Sequence, residues 1–194
     1  MAPSAGAQPA EPAWRLIVPD ETVAFADAFA GPIDVNVQRQ VGDFIVATKN
    51  GLPAYQLAVV VDDARQGVTD VVRGDDLLRS TARQIMLYRL LELGTAPTYW
   101  HLPLVAGADG RRLAKRHGDT RLSHYRRLGV PASRIIALLA RWCGAGDGRD
   151  EMTAAQFADA FDIARLPHEP VTFTQEDHAW LMQATSTQPS PSSR

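Results

Sequence analysis

The chain has 194 residues, 45% hydrophobic and 22% charged, the balance of one ordinary globular domain or of one domain with a small appendage. Its formal net charge of -2 excludes a globally basic nucleic-acid binder and leaves room only for a local basic patch. The single cysteine, Cys143, excludes an internal disulfide or a multi-cysteine zinc site within these residues, and the longest strongly apolar run, Leu57–Val61, is too short to span a bilayer.

The first segment, MAPSAGAQPAEPA, has neither a charged n-region nor an apolar h-region, so it does not read as a secretory signal, and a cytoplasmic protein is expected. Residues 1–13 are expected to form a disordered tail, and so is the Ser/Thr/Pro-rich stretch 185–194. The β-like runs Arg15–Val18 and Val23–Phe25, separated by Pro19-Asp20-Glu21, suggest a hairpin. Phe44–Thr48 reads as a strand ended by the Asn50-Gly51 turn signal. Ala54–Gln66 is strand-like in its valine content, but its length favours a helix stopping at Gly67.

Val68–Val72 then reads as a buried strand, followed by a helix over Ala82–Leu93 capped by Ser80 or Thr81, with Ile85, Met86, Leu87, Leu90 and Leu91 on its apolar side. Tyr99–Val105 is a second buried strand, leading into the polar loop Gly107–Thr120. Strand, helix, strand and loop is the grammar of an α/β sheet whose ligands sit beyond strand C-termini. From Leu122 onward only helices are expected: Leu122–Leu128, one opened by Pro131 and running to Cys143, one capped by Thr153 over Ala154–Phe161, and one capped by Thr174. The predicted organisation is an α/β part over 14–119 and a helical part over 120–184, with a boundary near Asp119.

Three features could carry chemistry. Between Arg111 and Arg127 lie seven Lys or Arg residues and one acid, Asp119, with glycines flanking the segment Arg112-Leu113-Ala114-Lys115-Arg116. Glycines let backbone amides approach an anion, and the cations can follow a polyphosphate, although composition alone fits a solvated basic loop equally well. The basic residues are eighteen arginines against two lysines, Lys49 and Lys115, so the lysine in this loop was kept against the bias of the chain. Tyr55 and Arg73 form the second feature. An arginine ending a strand is placed to hold a carboxylate, the alternatives being a core-edge Tyr and a surface-paired Arg. The acidic pairs Asp62-Asp63 and Asp75-Asp76 are the third; they could bind a divalent ion or a ribose hydroxyl, but more often cap helices or balance arginines. His101 and Cys143 read as packing residues.

In order, Tyr55–Asp63, Gly67–Thr69, Val72–Leu78, Thr81–Ile85, His101–Leu104 and Asp109–Thr120 resemble consecutive blocks of the glutamyl-tRNA synthetases, a family of class I aminoacyl-tRNA synthetases. Within that family the wording Tyr-Gln-Leu-Ala-Val-Val-Val-Asp-Asp is similar to the glutamyl-Q tRNA(Asp) synthetases, which attach glutamate to queuosine of tRNA(Asp). About 75 residues follow the loop, too few on this reading for a large anticodon-binding domain. The resemblance runs from Trp14 to Met182 and implies the second half of a Rossmann-type catalytic domain followed by a small helical subdomain.

It also implies roles. Tyr55 and Arg73 match positions that bind glutamate. Arg112, Leu113, Ala114, Lys115 and Arg116 match the ATP-binding KMSKS motif, and Lys115 matches its second, catalytic lysine. The implied reaction joins the glutamate carboxylate to the α-phosphate of ATP, with Mg2+ accompanying the nucleotide, and then transfers glutamate to tRNA, with tRNA(Asp) favoured over tRNA(Glu). Arg112 replaces the motif's first lysine and keeps its charge, whereas Ala114 replaces its serine and loses a hydroxyl. The family's HIGH tetrad and zinc cysteines are not among these residues, so a separate N-terminal half is an expected partner. The competing readings are a non-catalytic tRNA-binding or regulatory remnant, and a piece of a discriminating glutamyl-tRNA synthetase.

Overall fold

The computed structural model describes residues 12–114, 118 and 120–183, so the two expected tails lie largely outside it. The chain divides into two compact units, Met1–Leu102 and Pro103–Arg194.

The first unit is built from short strands and two longer helices. Strand β1 (Trp14–Leu16) pairs antiparallel with β4 (Phe44–Ala47), and β2 (Thr22–Asp27) pairs antiparallel with β3 (Gly31–Asn36). This corrects the expected hairpin between the first two β-like runs. Asp43 accepts the Val18 amide at 2.9 Å and its carbonyl accepts from Arg15, which ties the first run to the β4 end of the unit. The true hairpin partner of β2 was missed because Gly31-Pro32 masks a strand that starts with two poor strand formers. Between β3 and β4 lies the single turn α1 (Val37–Gln40), capped by the Asn36 side chain on the Arg39 amide.

Helix α2 (Tyr55–Gln66) forms as the length of its run suggests, and Gly67 ends it in the left-handed region at φ 67, where a Cβ would be strained. Strand β5 (Asp70–Gly74) starts two residues later than expected and is not buried throughout, since Val72 is 63% exposed. After one 3-10 turn (Asp75–Leu77) comes α3 (Leu78–Leu90). Ser80 and Thr81 therefore sit inside the helix and do not cap it. Asp75 and Asp76 open the preceding turn, where their charge favours exposed amides and lets the helix begin earlier. Ile85, Met86 and Leu87 are buried as expected, but Leu90 and Leu91 are exposed.

Strand β6 (Thr98–Leu102) returns parallel to β5 with α3 as the crossover, the strand–helix–strand unit expected from the sequence. The expected single strand Tyr99–Val105 is broken at Pro103, which has no N–H for a ladder. The core of this unit joins Val23, Val35, Phe44, Val60, Ala82, Met86, Tyr88 and Tyr99. Full burial of a valine-, phenylalanine- or methionine-sized side chain contributes about 1.5–3 kcal/mol.

In the second unit β7 (Val105–Ala106) pairs parallel with β8 (Val171–Thr172), a strand that sequence patterning did not reveal. The helices are α4 (Leu122–Arg127), α5 (Ala132–Trp142), α6 (Ala154–Ala160) and α7 (Gln175–Gln183). Thr153 closes a capping box with Gln156, and the Thr174 hydroxyl accepts the Asp177 amide at 3.1 Å, so both predicted caps form. Pro131 stands at the position just before α5. The switch to helices begins at α4, yet the compact units divide after Leu102, because β8 returns to pair with β7. Trp180 lies between two guanidinium groups, with the central carbons of Arg134 and Arg141 each 3.8 Å from its ring centre. Cys143 is partly buried, and burial pushes its thiol up.

Candidate functional site

The parallel register of the first unit sets Arg73 of β5 directly beside His101 of β6, so both side chains leave the same face of the sheet. Two residues earlier on each strand, Val71 and Tyr99 share that face. Tyr99 lies under the guanidinium, its ring centre 5.2 Å from the central carbon of Arg73. Burial pushes the Tyr99 hydroxyl up to about 12, with Arg73 opposing. Burial likewise draws the Arg73 guanidinium below its ordinary value, opposed by the nearby Tyr99, Tyr55, Asp63 and Asp27.

Arg73 is held on one edge. Its Nε donates to His101 Nε2 at 2.9 Å and its Nη2 donates to Thr81 Oγ1 at 2.7 Å. His101, 1% exposed, turns its other nitrogen to Asp27, with Nδ1 and the carboxylate Oδ2 2.6 Å apart. Asp27 Oδ1 accepts the amides of Ala30 at 2.8 Å, Phe29 at 3.1 Å and His101 at 3.2 Å. Burial works against its charge, but the Ala30 amide, the His101 ring and the remaining amides hold the carboxyl below its ordinary value. The result is a line, Asp27–His101–Arg73, buried at its first two members and half-buried at Arg73, with Thr81 alongside.

Tyr55, at the first turn of α2, is 59% exposed and close enough to Arg73 to act on its charge. It also lines a groove of about 370 Å³ with Gln56, Phe44 and Arg83. Asp63, on the last turn of α2, is pushed up by burial while Arg73 draws it down and Asp62 pushes it up. The sequence singles out Tyr55 and Arg73, but in it His101 reads as packing, Ser80 or Thr81 as a cap, and Asp27 is missed. The missed signal was in the alternation of β2: Val23 and Asp27 are both buried, so the register places a carboxylate on the inward face.

The second predicted element starts from β7. Gly107, Asp109 and Gly110 turn the chain back, with the Gly107 amide on the Arg111 carbonyl at 2.8 Å and Gly110 at φ 70. Arg112 then bridges to Ala106, and the Leu113 amide reaches the Val105 carbonyl at 2.8 Å. The loop thus leaves a hydrogen-bonded hairpin base, with Ala114 next. Lys115 and Arg116, predicted to bind ATP, lie outside the described residues. A cavity of about 350 Å³ adjoins this base, lined in part by Gly107, Gly118, Thr120, His124 and His178. His178 Nδ1 is 2.8 Å from the Tyr125 hydroxyl. Among the described residues no three His, Cys, Asp or Glu side chains are grouped to hold a metal ion, and no helix is long and apolar enough to cross a membrane.

Comparison with known proteins gives this geometry a family. The chain is 45% identical over 179 residues to the glutamyl-Q tRNA(Asp) synthetase of Symbiobacterium thermophilum, an alignment covering 90% of this chain and 54% of that protein. It is 45% identical over 159 residues to the protein of the same name from Rhodopirellula baltica, covering 75% and 48%. To glutamate–tRNA ligase 1 of Helicobacter pylori strain G27 it is 34% identical over 172 residues, covering 88% and 37%. The chain therefore spans about half the length, or less, of these relatives. In fold it resembles a solved glutamate tRNA ligase from Elizabethkingia meningosepticum, in complex with its amino acid, at a TM-score of 0.71 and 24% identity, covering 85% of this chain and 36% of that one. Since the family model of the class I tRNA synthetase (E and Q) catalytic domain matches residues 3–180, the chain belongs to that family.

Proposed function

We propose that this chain supplies the glutamate side of a glutamyl-tRNA synthetase-like active site, with Arg73 and Tyr55 binding the amino acid and Arg112, Leu113, Ala114, Lys115 and Arg116 serving ATP. One observation carries the reading: Arg73 stands one residue before the end of a parallel strand with its guanidinium braced from behind, and Tyr55 stands within its electrostatic reach. A cation held in that way suits a carboxylate ligand, because paired charge-assisted bonds reward a fixed fork. The same reading takes the fold as the second half of a Rossmann-type domain followed by a helical subdomain.

In the reaction, the glutamate carboxylate attacks the α-phosphorus of ATP, the acyl–phosphate bond forms, and the bond to pyrophosphate breaks. Lys115 and the flanking arginines offset the charge that builds on the phosphates. Mg2+ would accompany the nucleotide and supply positive charge on its phosphates. The HIGH tetrad is not among the 194 residues, and a HIGH-bearing segment is the partner this reading proposes for the other half of the ATP site. The glutamyl group then passes to tRNA. The higher identity to the two glutamyl-Q tRNA(Asp) synthetases than to the ligase favours queuosine of tRNA(Asp) over tRNA(Glu).

The test is glutamate-dependent ATP–pyrophosphate exchange, by the chain alone and with a HIGH-bearing segment added, followed by transfer of labelled glutamate to the two tRNAs. Lys115→Ala is expected to lower exchange about 10²–10³-fold, the usual effect of removing one charge-stabilising group, while tRNA association persists. Unchanged exchange in that variant removes Lys115 from the mechanism, and equal charging of tRNA(Glu) removes the queuosine reading.

A further inference from the structure

The buried line behind Arg73 has a direction, set by which atoms can donate. An arginine Nε always carries hydrogen and only donates, so the His101 Nε2 facing it at 2.9 Å must be a bare acceptor. The single ring hydrogen then sits on Nδ1, where it meets Asp27 Oδ2 at 2.6 Å. His101 is thus fixed as the neutral Nδ1–H tautomer, and the three amides on Asp27 Oδ1 keep the carboxylate turned toward it.

The same contacts fix which part of Arg73 is left for a ligand. Nε and Nη2 form the side edge of the guanidinium, the edge a carboxylate grips in a side-on pair. Here that edge is taken by His101 Nε2 and Thr81 Oγ1, and the Thr81 hydroxyl, 3.2 Å from the bare Nε2, donates to it in turn. Among the described residues Nη1 has no hydrogen-bond partner, so the open end is the Nη1/Nη2 end. The choice of acceptor matters as well. A carboxylate at position 101 would cancel the charge of Arg73, whereas a neutral imidazole orients the fork and leaves its charge intact. The balancing negative charge of Asp27 stands one ring-width further away.

We propose that His101 is a positioning residue which, locked by Asp27 and assisted by Thr81, holds Arg73 so that only its Nη1/Nη2 end meets an anionic ligand, which it grips end-on through a carboxylate. This deepens the glutamate reading of Arg73 and rests on it. Asp27 and His101 touch no ligand; they act through Arg73.

The experiment uses the 15N-labelled chain and free glutamate as the probe. Long-range proton–nitrogen correlation reads the tautomer: His101 is expected to show a protonated Nδ1 and a bare Nε2, with a slowly exchanging Arg73 Nε–H. Glutamate added to the wild-type chain should shift the Arg73 Nη signals while the Nε–H bond to His101 persists. Two variants differ only in reach. The Gln amide oxygen of His101→Gln can stand where Nε2 stands and accept from Arg73, whereas the shorter His101→Asn cannot. His101→Asn is therefore expected to bind glutamate about tenfold more weakly, the worth of one lost hydrogen bond, and His101→Gln to recover most of that loss. Thr81→Val, which keeps shape and removes the acceptor for Nη2, should weaken binding in the same direction.

Equal affinities in the Gln and Asn variants, or a proton found on Nε2, overturn the positioning role while the glutamate reading stands. No glutamate response in the wild-type chain, with the tautomer as expected, overturns the ligand itself and with it the end-on grip.

Discussion

Replacing Asp27 with asparagine perturbs the buried network at its root without changing its size. The three amides on Oδ1, from Ala30, Phe29 and His101, keep an acceptor in the variant. Oδ2 becomes an NH2 group facing the His101 Nδ1–H across a 2.6 Å contact, so two donors oppose one another. Moving the ring proton to Nε2 relieves that conflict only by setting it against the Arg73 Nε–H. Either way one charge-assisted bond is lost, about 1.5–3 kcal/mol, and a buried donor goes unpaired, about 1–3 kcal/mol. A loss of about 2.5–6 kcal/mol is a large share of a typical total of about 5–15 kcal/mol.

The pH dependence has a definite sign. The folded Asp27 carboxyl is held below its ordinary value of 3.8, so its contribution is complete above that value and is lost as pH falls through the lower, folded one. Urea unfolding followed by tryptophan fluorescence should therefore show a wild-type advantage over Asp27→Asn that is constant near neutrality and shrinks in the acid range below about pH 4. A variant within about 0.5 kcal/mol of wild type at pH 7, the range of a neutral surface change, refutes the reasoning. So does a difference that does not narrow in acid.

Gly144→Ala should destabilise the second unit by about 2 kcal/mol or more, since φ is 70 and an added Cβ would stand 2.9 Å from the Arg165 carbonyl oxygen. Gly148→Ala, at φ 86 with nothing within 4 Å, should lose only the backbone part, about 1–2 kcal/mol, and thermal melts of the pair separate the two causes. Arg134→Met should cost about 2–4 kcal/mol in chemical unfolding, because Arg134 is buried, stacks on Trp180 and donates to its carbonyl at 2.9 Å. Arg141→Met removes a more exposed stacking partner and should cost about 1 kcal/mol or less; equal losses in the two variants would show that burial is not what matters.

Local order determined much of what the sequence reveals by itself. Helix α2 and its stop at Gly67 follow from the length of the run and one residue's conformational freedom. Thr153 and Thr174 announce their helices because capping acts between residues three apart. The ordered blocks around Tyr55, Arg73 and Arg112–Arg116 carried the family resemblance, since identity in order along the chain needs no coordinates.

What only the tertiary structure decided involves residues far apart in the chain. β1 pairs with β4 and not with β2, because strand partners are chosen by non-local burial that alternation cannot specify. Thr81 looked like a cap until α3 began earlier and turned it toward Arg73. Asp27 and His101 are separated by 74 positions, and His101 alone reads as a packed ring while Asp27 draws no reading. Only the register that sets β5 beside β6, and the end of β2 against them, brings one carboxylate, one imidazole and one guanidinium into a line. Hydrogen-bond direction is a property of that meeting, so the chemistry held ready at Arg73 exists in the fold and in no stretch of the sequence.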